Sequence, residues 1–412
     1  MKETENNDYF PLSEYKTRLT RLRKEMKASG LEALLLTTEP NIVYTTGFLN
    51  GYWICRNHDD AQLVLISAST DHDPILLVPC HLEQTARTSC ISDIRVWSQF
   101  DALKGKGAVA TVVDAILGCR LAKARIGMET GPDSHLGLSL PFLRSVQDSL
   151  PGVEWVDGSA VMGRVRVIKS ELEIEKVRTA CRITCHALQA GMDSIKEGMS
   201  EKELGQIIAL EMARQSPDVC TIHPWFMFIH STGRGASAYD GMPTTYRFRK
   251  GECVYVDAGF NFHGYTADMI RCASIGAPSL ETKRYYDANR DVNMAVIEFM
   301  RPGITCKEVY EFFVQKIRKI GFARQIEQQH KVNWKFLGHS WGMSIHETPY
   351  LDAMTEDVLQ PGMIFSIEGN IFDKMPMQLT TQMLKNEENV VITKDGCEWL
   401  TPLSNDLWIV KT

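Results

Sequence analysis

The stretch VYVDAGFNFHGYTADMIR, Val254 to Arg271, decides the fold of this 412-residue chain. An apolar run leads to Asp257, and a turn that contains a glycine separates it from Asp268. A β-hairpin centred between Phe262 and His263 would place the two aspartates directly opposite each other. Opposed side chains of an antiparallel pair share one face, with Cβ atoms about 4.5–5.5 Å apart. Two carboxylates that close stay ionised only with a cation between them, so the stretch predicts a metal site, with a solvated surface hairpin as the simpler alternative.

The composition is that of a soluble globular enzyme, with 44% hydrophobic residues, 23% charged residues and a net charge of −6. No concentrated positive stripe is present, which argues against a nucleic-acid partner. The first ten residues, MKETENNDYF, lack the apolar core of a signal peptide. No apolar run approaches the roughly 18 residues of a membrane span. We therefore expect a cytoplasmic protein with no membrane or nucleic-acid partner.

The pattern of apolar runs predicts two domains. Short runs such as LEALLLTT, QLVLIS and PILLVP alternate with helical stretches in the first part of the chain, which indicates a small α/β layer. A long helix with acidic residues early and basic residues late begins near residue 170. The expected fold class is α/β (α+β), with domains at residues 1–165 and 166–412. The 11 cysteines are scattered without a CxxC pair and are expected to be reduced, structural thiols.

Further candidate residues lie in the second of these domains. His339 and His346 belong to FLGHSWGMSIHETPYL, Glu368 ends the apolar run MIFSIE, and Glu387 precedes the apolar run NVVIT. A carboxylate that borders a buried strand costs free energy unless a positive group neutralises it. Each residue alone is typical of a solvated surface. Their occurrence together with the aspartate pair favours a shared site.

The order Asp257, Asp268, His339, Glu368 and Glu387 resembles the metal-ligand set of the pita-bread family, which includes methionine aminopeptidase, aminopeptidase P, prolidase and creatinase. The segments that carry the resemblance are DAGFNFHGYTAD, GHSWGMSIHETP, SIEG and NEENVVIT. The first half resembles the small domain of the creatinase and prolidase branch in EPNIVYTTGF, IGME and RVRVIKSELEIEKVR. The resemblance implies a creatinase-like N-terminal domain followed by a pita-bread catalytic domain.

The resemblance also implies that these five residues bind two divalent ions, and the donor types agree with that. A set of carboxylates and one imidazole suits manganese, iron, cobalt or zinc. Two such ions can share a water and lower its pKa. By the same resemblance, His339, His346 and Glu368 are the catalytic candidates, with Glu368 as proton shuttle and His346 as oxyanion stabiliser. The implied activity is hydrolysis of a C–N bond in a short peptide or small molecule, by default as an Xaa-Pro peptidase.

Three positions depart from the family pattern. Proline-directed members carry a histidine where counting without gaps places Asp240. The usual proline after the first ligand glutamate is Gly369, and the usual arginine two residues before the last ligand is Lys385. A carboxylate at position 240 would repel a substrate carboxylate and attract a cation. These changes predict weak or absent cleavage of Xaa-Pro dipeptides and a small substrate that carries a positive or amide group.

The loop 223–243 should line the substrate pocket, with Trp225, Tyr239 and Asp240 as candidate walls. Two other functions stay open. One is a non-peptidase enzyme of the same fold, either a small-molecule amide or amidine hydrolase or an enzyme like the dimethylsulfoniopropionate lyases. The other is a binding protein without catalysis, which the intact ligand set disfavours.

An aromatic-rich segment in the first domain contains Trp53 and Arg56 without a core pattern around them. In the creatinase branch, dimers place residues of the small domain at the neighbouring subunit's active site. The resemblance therefore implies a homodimer in which Trp53 or Arg56 approaches the other subunit's metals, and both residues are candidates for substrate binding.

Overall fold

The computed structural model describes residues 1–2, 9–49, 61–98, 107–132, 134–216, 225–234, 241–372 and 384–412. The chain divides into two compact units, residues 1–166 and 167–412. Among the described residues, no helix combines the length and apolarity that a membrane span requires. The nine cysteines in the described part of the chain are all free.

The first unit contains one mixed sheet. Its strands are β1 (Ala33–Leu36), β2 (Leu63–Ser67), β3 (Ile75–Pro79), β4 (Asp93–Trp97), β5 (Arg125–Met128) and β6 (Glu154–Asp157). Its helices are α1 (Leu12–Ala28), α2 (Glu39–Thr46), α3 (Glu83–Ala86), α4 (Ala108–Gly118), α5 (Leu140–Ser149) and α6 (Ser159–Arg166). The strand order is β4-β3-β2-β1-β5-β6, with β1 antiparallel to β2 and parallel to β5. Apolar residues of β1, β2 and β5 pack with α4 and α5 in one core, as the apolar runs of this half predict.

The second unit contains two five-stranded sheets. Its strands are β7 (Trp225–Ser231), β8 (Cys253–Phe262), β9 (Tyr265–Thr266), β10 (Met269–Ile275), β11 (Phe336–Ser340), β12 (Glu347–Asp352), β13 (Ile364–Ile367), β14 (Glu388–Ile392), β15 (Cys397–Trp399) and β16 (Trp408–Val410). Its helices are α7 (Glu171–Ser194), α8 (Glu201–Gln215), α9 (Leu280–Phe299), α10 (Cys306–Lys319) and α11 (Ala323–Lys331). One sheet has the order β16-β10-β8-β7 with β9 paired to β8, and the other has the order β12-β11-β13-β14-β15.

Each sheet of the second unit packs against its own pair of long helices. Helices α7 and α8 begin with capping boxes, in which Ser170 and Ser200 exchange hydrogen bonds with Glu173 and Glu203. Their apolar faces form one core with β8 and β10. Helices α9 and α10 form a second core with β11, β13 and β14. The expectation of a mixed helix-and-sheet fold is therefore confirmed.

The hairpin of β8 and β10 has a different register from the one expected. It turns at His263 and Gly264, which both have positive φ values of 52° and 84°. Asp257 pairs with Ile270. The prediction that Asp257 directly opposes Asp268 is therefore wrong, because the turn is centred one residue further along the chain. A two-residue loop with both residues in the left-handed region has the twist that a hairpin prefers, so the turn glycine sets the register.

Candidate metal centre

Five predicted ligands lie on strands, or at strand ends, of the two sheets of the second unit. Asp257 lies within β8, Asp268 precedes β10, His339 lies within β11, Glu368 follows β13 and Glu387 precedes β14. The two sheets therefore contribute donors to one place. A sheet position fixes the direction of a side chain, because successive residues point to opposite faces.

The structure brings all five side chains together, and His346 with them. Ligand atoms lie within 4.8 Å of one another in three overlapping groups. The groups are Asp257 with Asp268 and Glu387, His339 with Glu368 and Glu387, and Asp268 with His339 and His346. Overlapping groups that share Asp268, His339 and Glu387 describe a continuous cluster rather than three separate ones.

The two aspartates approach each other diagonally. Because Asp257 pairs with Ile270, Asp268 lies two positions away from direct opposition and still on the same face. The backbone of Asp268 is held by Asn389, which accepts a hydrogen bond from Asp268 N at 3.0 Å and donates one to Asp268 O at 2.5 Å. The diagonal arrangement therefore still brings the carboxylates of Asp257 and Asp268 close together, as direct opposition was expected to do.

The electrostatics of the cluster favour an added positive charge. Burial raises the pKa of Asp257 and of Glu387 well above the ordinary value, and the neighbouring carboxylates raise both further. Asp257 Oδ1 is buried and has no hydrogen-bond partner within the described residues. His339 Nε2 is also buried and lies 3.4 Å from Asp268 Oδ2 and 3.5 Å from Glu368 Oε1 without a well-formed hydrogen bond. Orphaned buried donors and acceptors are costly. Oxygen and imidazole ligands beside unneutralised carboxylates fit a divalent ion.

Glu368 differs from the other carboxylates because a lysine touches it. Lys385 Nζ donates a hydrogen bond to Glu368 Oε2. Burial alone would raise the pKa of Glu368, but the charges of Lys385 and His339 outweigh burial and lower it. Glu368 therefore stays ionised while Asp257 and Glu387 resist ionisation.

The two histidines lie in contact but face different surroundings. Their rings are 4.3 Å apart and nearly perpendicular. His339 is fully buried, and its contacts with Asp268 and Glu368 raise its pKa against the opposing effect of burial. His346 is exposed on one side, and partial burial together with His339 lowers its pKa. At neutral pH His346 is therefore an uncharged imidazole beside the carboxylate cluster.

The family models match in two places. The model of metallopeptidase family M24 matches residues 175–394, and that of the creatinase/prolidase N-terminal domain matches residues 18–168. The first match covers more than half of the chain and includes all five ligand positions. The chain belongs to metallopeptidase family M24. As an M24 peptidase it is a metal-dependent hydrolase, and the resemblance to the pita-bread family is confirmed.

Relatives of this M24 peptidase include enzymes named as dipeptidases. The Xaa-Pro dipeptidase of Pyrococcus horikoshii is 28% identical over 271 residues, covering 65% of this chain and 73% of the relative. The uncharacterised peptidase YqhT of Bacillus subtilis is 24% identical over 401 residues, covering 95% of this chain and 100% of the relative.

Solved structures share the fold over nearly the whole chain. The dipeptidase PepE of Mycobacterium ulcerans has a TM-score of 0.78 and 21% identity, covering 97% of this chain and 99% of its own. The prolidase of Pyrococcus horikoshii has a TM-score of 0.74 and 23% identity, covering 95% of this chain and 99% of its own. At these identities the likeness establishes the fold.

The predicted substrate contacts of the M24 peptidase have a mixed outcome. Trp225 pairs with Phe260, on the face of the sheet opposite to Asp257, and packs against the core of α7 and α8. This packing argues against a place for Trp225 in the substrate pocket. Phe228 pairs with Asp257 and shares its face instead. Tyr239, Asp240, Trp53 and Arg56 lie outside the described residues, and their roles stay predictions.

Two contacts of the ligands were not anticipated from sequence. Tyr255 OH donates a hydrogen bond to Asp257 Oδ2 at 3.0 Å. Ser366 Oγ donates a hydrogen bond to Glu387 Oε1. Tyr255 precedes a ligand by two residues on the same strand, so strand alternation could have identified it. The partnership of Ser366 depends on pairing between β13 and β14, which one segment alone does not reveal.

Proposed function

We propose that this M24 peptidase is a dinuclear metal-dependent hydrolase of the prolidase type that cleaves the amide bond of a short peptide. The ligands would be Asp257, Asp268, His339, Glu368 and Glu387. The observation that supports this proposal is the convergence of these five side chains, with Asp257 and Glu387 too poorly neutralised to ionise without a cation. Manganese, iron, cobalt and zinc all suit such ligands.

The chain's own residues would divide the catalytic work. Divalent ions in such a site supply water activation and carbonyl polarisation. Glu368, which Lys385 keeps ionised, would take the proton of the attacking water and deliver it to the leaving nitrogen. His346, uncharged and accessible, would donate a hydrogen bond to the carbonyl oxygen as negative charge develops there.

The substrate proposed is a short peptide. The names of the relatives support an Xaa-Pro dipeptide as the default. Asp240, at the position where proline-directed members carry a histidine, predicts that such dipeptides are cleaved weakly. The alternative is a small amide that carries a positive group, acted on by a non-peptidase enzyme of the same fold. Lys385 in place of the family arginine also favours a changed substrate.

An activity panel tests the proposal. Xaa-Pro dipeptides, other dipeptides, small amides and betaines would be assayed with manganese, zinc or iron supplied. We expect the wild type to hydrolyse a short peptide. The rate of this hydrolysis should fall at least about 10³-fold in Asp257→Asn. Asp406→Asn is the matched control, because Asp406 is 75% exposed, pairs with Arg290 and is not part of the ligand cluster. Hydrolysis that survives in Asp257→Asn would contradict the proposal, and turnover of amides or betaines alone would favour the alternative.

We further propose that the enzyme acts as a cytoplasmic homodimer. The support is the aromatic-rich segment with Trp53 and Arg56 and the resemblance to the creatinase branch. Sedimentation velocity at micromolar concentration tests the assembly, and a monomer under these conditions would refute it.

A further inference from the structure

The ligand glutamates lie just beyond the end of a strand pair. The ladder between β13 and β14 runs from Ile364 paired with Val391 to Ile367 paired with Glu388. Glu368 and Glu387 are the next residues on the two strands. Their amide N–H groups are held by other strands, with Glu368 N donating to Leu337 O and Glu387 N donating to Ile270 O. The ladder itself no longer fixes the distance between the two segments at this point.

One asparagine bridges the two segments where the ladder ends. Asn293 of α9 is fully buried. Its Nδ2 lies 3.1 Å from Gly369 O and 3.3 Å from Asn386 O, to which it donates hydrogen bonds. Gly369 directly follows Glu368, and Asn386 directly precedes Glu387. A single amide group therefore binds the backbone beside both ligands.

A second asparagine repeats this arrangement one helical turn earlier. Asn289 is 2% exposed and lies on the same face of α9 as Asn293. Its Nδ2 donates to Asn370 Oδ1 at 2.8 Å and to Leu384 O at 3.0 Å, and its Oδ1 accepts from Ile371 N at 2.6 Å. It thus binds residues that follow Glu368 and a residue that precedes Glu387.

The helix can make these contacts only because it approaches the strand ends closely. A Cβ on Gly369 would lie 2.7 Å from Asn293 Oδ1 and 2.4 Å from Cε2 of Phe313. Burying an amide costs free energy unless its hydrogen bonds are made. The rest of this face of α9, including Val292 and Val296, packs in an apolar core. Asn293 Oδ1 is buried without a hydrogen-bond partner among the described residues, so the donor bonds of Asn293 Nδ2 to Gly369 O and Asn386 O are what compensates the burial of this amide.

We propose that Asn289 and Asn293 form an amide clamp, a pair of positioning residues that holds Glu368 and Glu387 at the spacing a divalent ion needs. The inference rests on the proposed metal site. Groups that orient metal ligands from outside typically change metal affinity by about 10–100-fold when they are removed. Asn289 and Asn293 hold the backbone beside both glutamates from one face of α9. We therefore expect their removal to weaken metal binding in the same way.

Metal affinity measured by calorimetry tests the clamp. Chelator-treated wild type, Asn289→Ala and Asn293→Ala would be titrated with Mn²⁺, beside Val296→Ala as the matched control from the same helix and core. We expect Kd to weaken by about 10-fold or more in both asparagine variants. We expect Kd in Val296→Ala to stay within about twofold of wild type although its melting temperature falls. Asn293→Ser, which keeps a polar group in less space, replaces the alanine variant if that variant does not fold.

The possible results distinguish a failure of the amide clamp from a failure of the proposed metal site. Asparagine variants that bind Mn²⁺ as tightly as wild type would overturn the clamp and leave the proposed function standing. Equal weakening in Val296→Ala would overturn it as well, because the effect would then follow stability alone. A folded wild type that binds no Mn²⁺ would overturn both the clamp and the proposed dinuclear site.

Discussion

Lys385 Nζ donates a hydrogen bond to Glu368 Oε2 in a place where the lysine side chain is 3% exposed and the glutamate side chain 10%. A buried ion pair adds little net stability compared with apolar packing, but removing one partner leaves an uncompensated charge. The negative charge of Glu368 therefore depends on Lys385 for its neutralisation. The ion pair also places a lysine side chain beside the carboxylate proposed to move protons.

Replacing Lys385 should therefore destabilise the metal-free chain. We expect Lys385→Met to lower the free energy of unfolding by about 3 kcal/mol, because Glu368 would lose its neutralising partner. Urea unfolding of chelator-treated protein measures this. Lys307→Met is the control, because the ion pair of Lys307 with Glu356 is exposed and should contribute nothing measurable. Equal stability of Lys385→Met and wild type would show that Glu368 does not depend on the lysine.

The stability of the metal-free chain should fall as pH rises. The pKa values of Asp257 and Glu387 are raised in the folded state, so the folded chain binds more protons than the unfolded chain above their ordinary values of 3.8 and 4.5. Their contribution is complete below those values and is lost as pH rises through the raised values. Glu368 has a lowered pKa, so its contribution is already complete above 4.5.

We expect the melting temperature of chelator-treated protein to fall by about 5 °C between about pH 5 and pH 8. Asp257→Asn should reduce this slope, because it removes one of the carboxylates whose pKa is raised, a set that also includes Asp268 and Glu387. The melting temperature of protein loaded with Mn²⁺ should fall less over the same pH interval. Calorimetric scans at each pH test the prediction, and a melting temperature that rises across this interval in the metal-free chain would contradict it.

Phe228 and Trp225 should respond oppositely to truncation, because they lie on opposite faces of β7. Phe228 shares the face of Asp257, so Phe228→Ala should raise KM by about tenfold with little change in stability. Trp225 packs against the core, so Trp225→Ala should lower the free energy of unfolding by about 2 kcal/mol and leave KM near its wild-type value. Kinetics and urea unfolding of both variants decide this, and a KM effect in Trp225→Ala alone would reverse the assignment.

The sequence predicted which side chains lie close together better than it predicted the geometry that assembles them. Five donor residues in an order that resembles the ligand set of the family indicate both the fold and the kind of site. The register of the hairpin could not be read from Asp257 and Asp268, because turn geometry rather than the desired contact decides which residues pair. His263 and Gly264 carry that information.

The sequence could not predict the hydrogen bonds made by the asparagines of α9, for a different reason. Asparagines four residues apart on an amphipathic helix are typical of a solvent-facing stripe. Their burial and their hydrogen bonds to the strand ends show that Asn289 and Asn293 point inward. Trp225 was assigned to the pocket from its residue type, whereas strand alternation against β8 places it on the core side.

The metal content of the purified chain is the direct test of the proposed dinuclear site. Protein prepared without chelator would be analysed by inductively coupled plasma mass spectrometry, beside Asp257→Asn and Glu387→Gln, with protein concentration from amino-acid analysis. The account predicts about two divalent ions per wild-type chain, a clear loss in both variants, and recovery of wild-type activity when Mn²⁺ or Zn²⁺ is returned after chelation. A folded, active wild-type chain that holds no divalent ion, with activity unchanged by chelator, would contradict it.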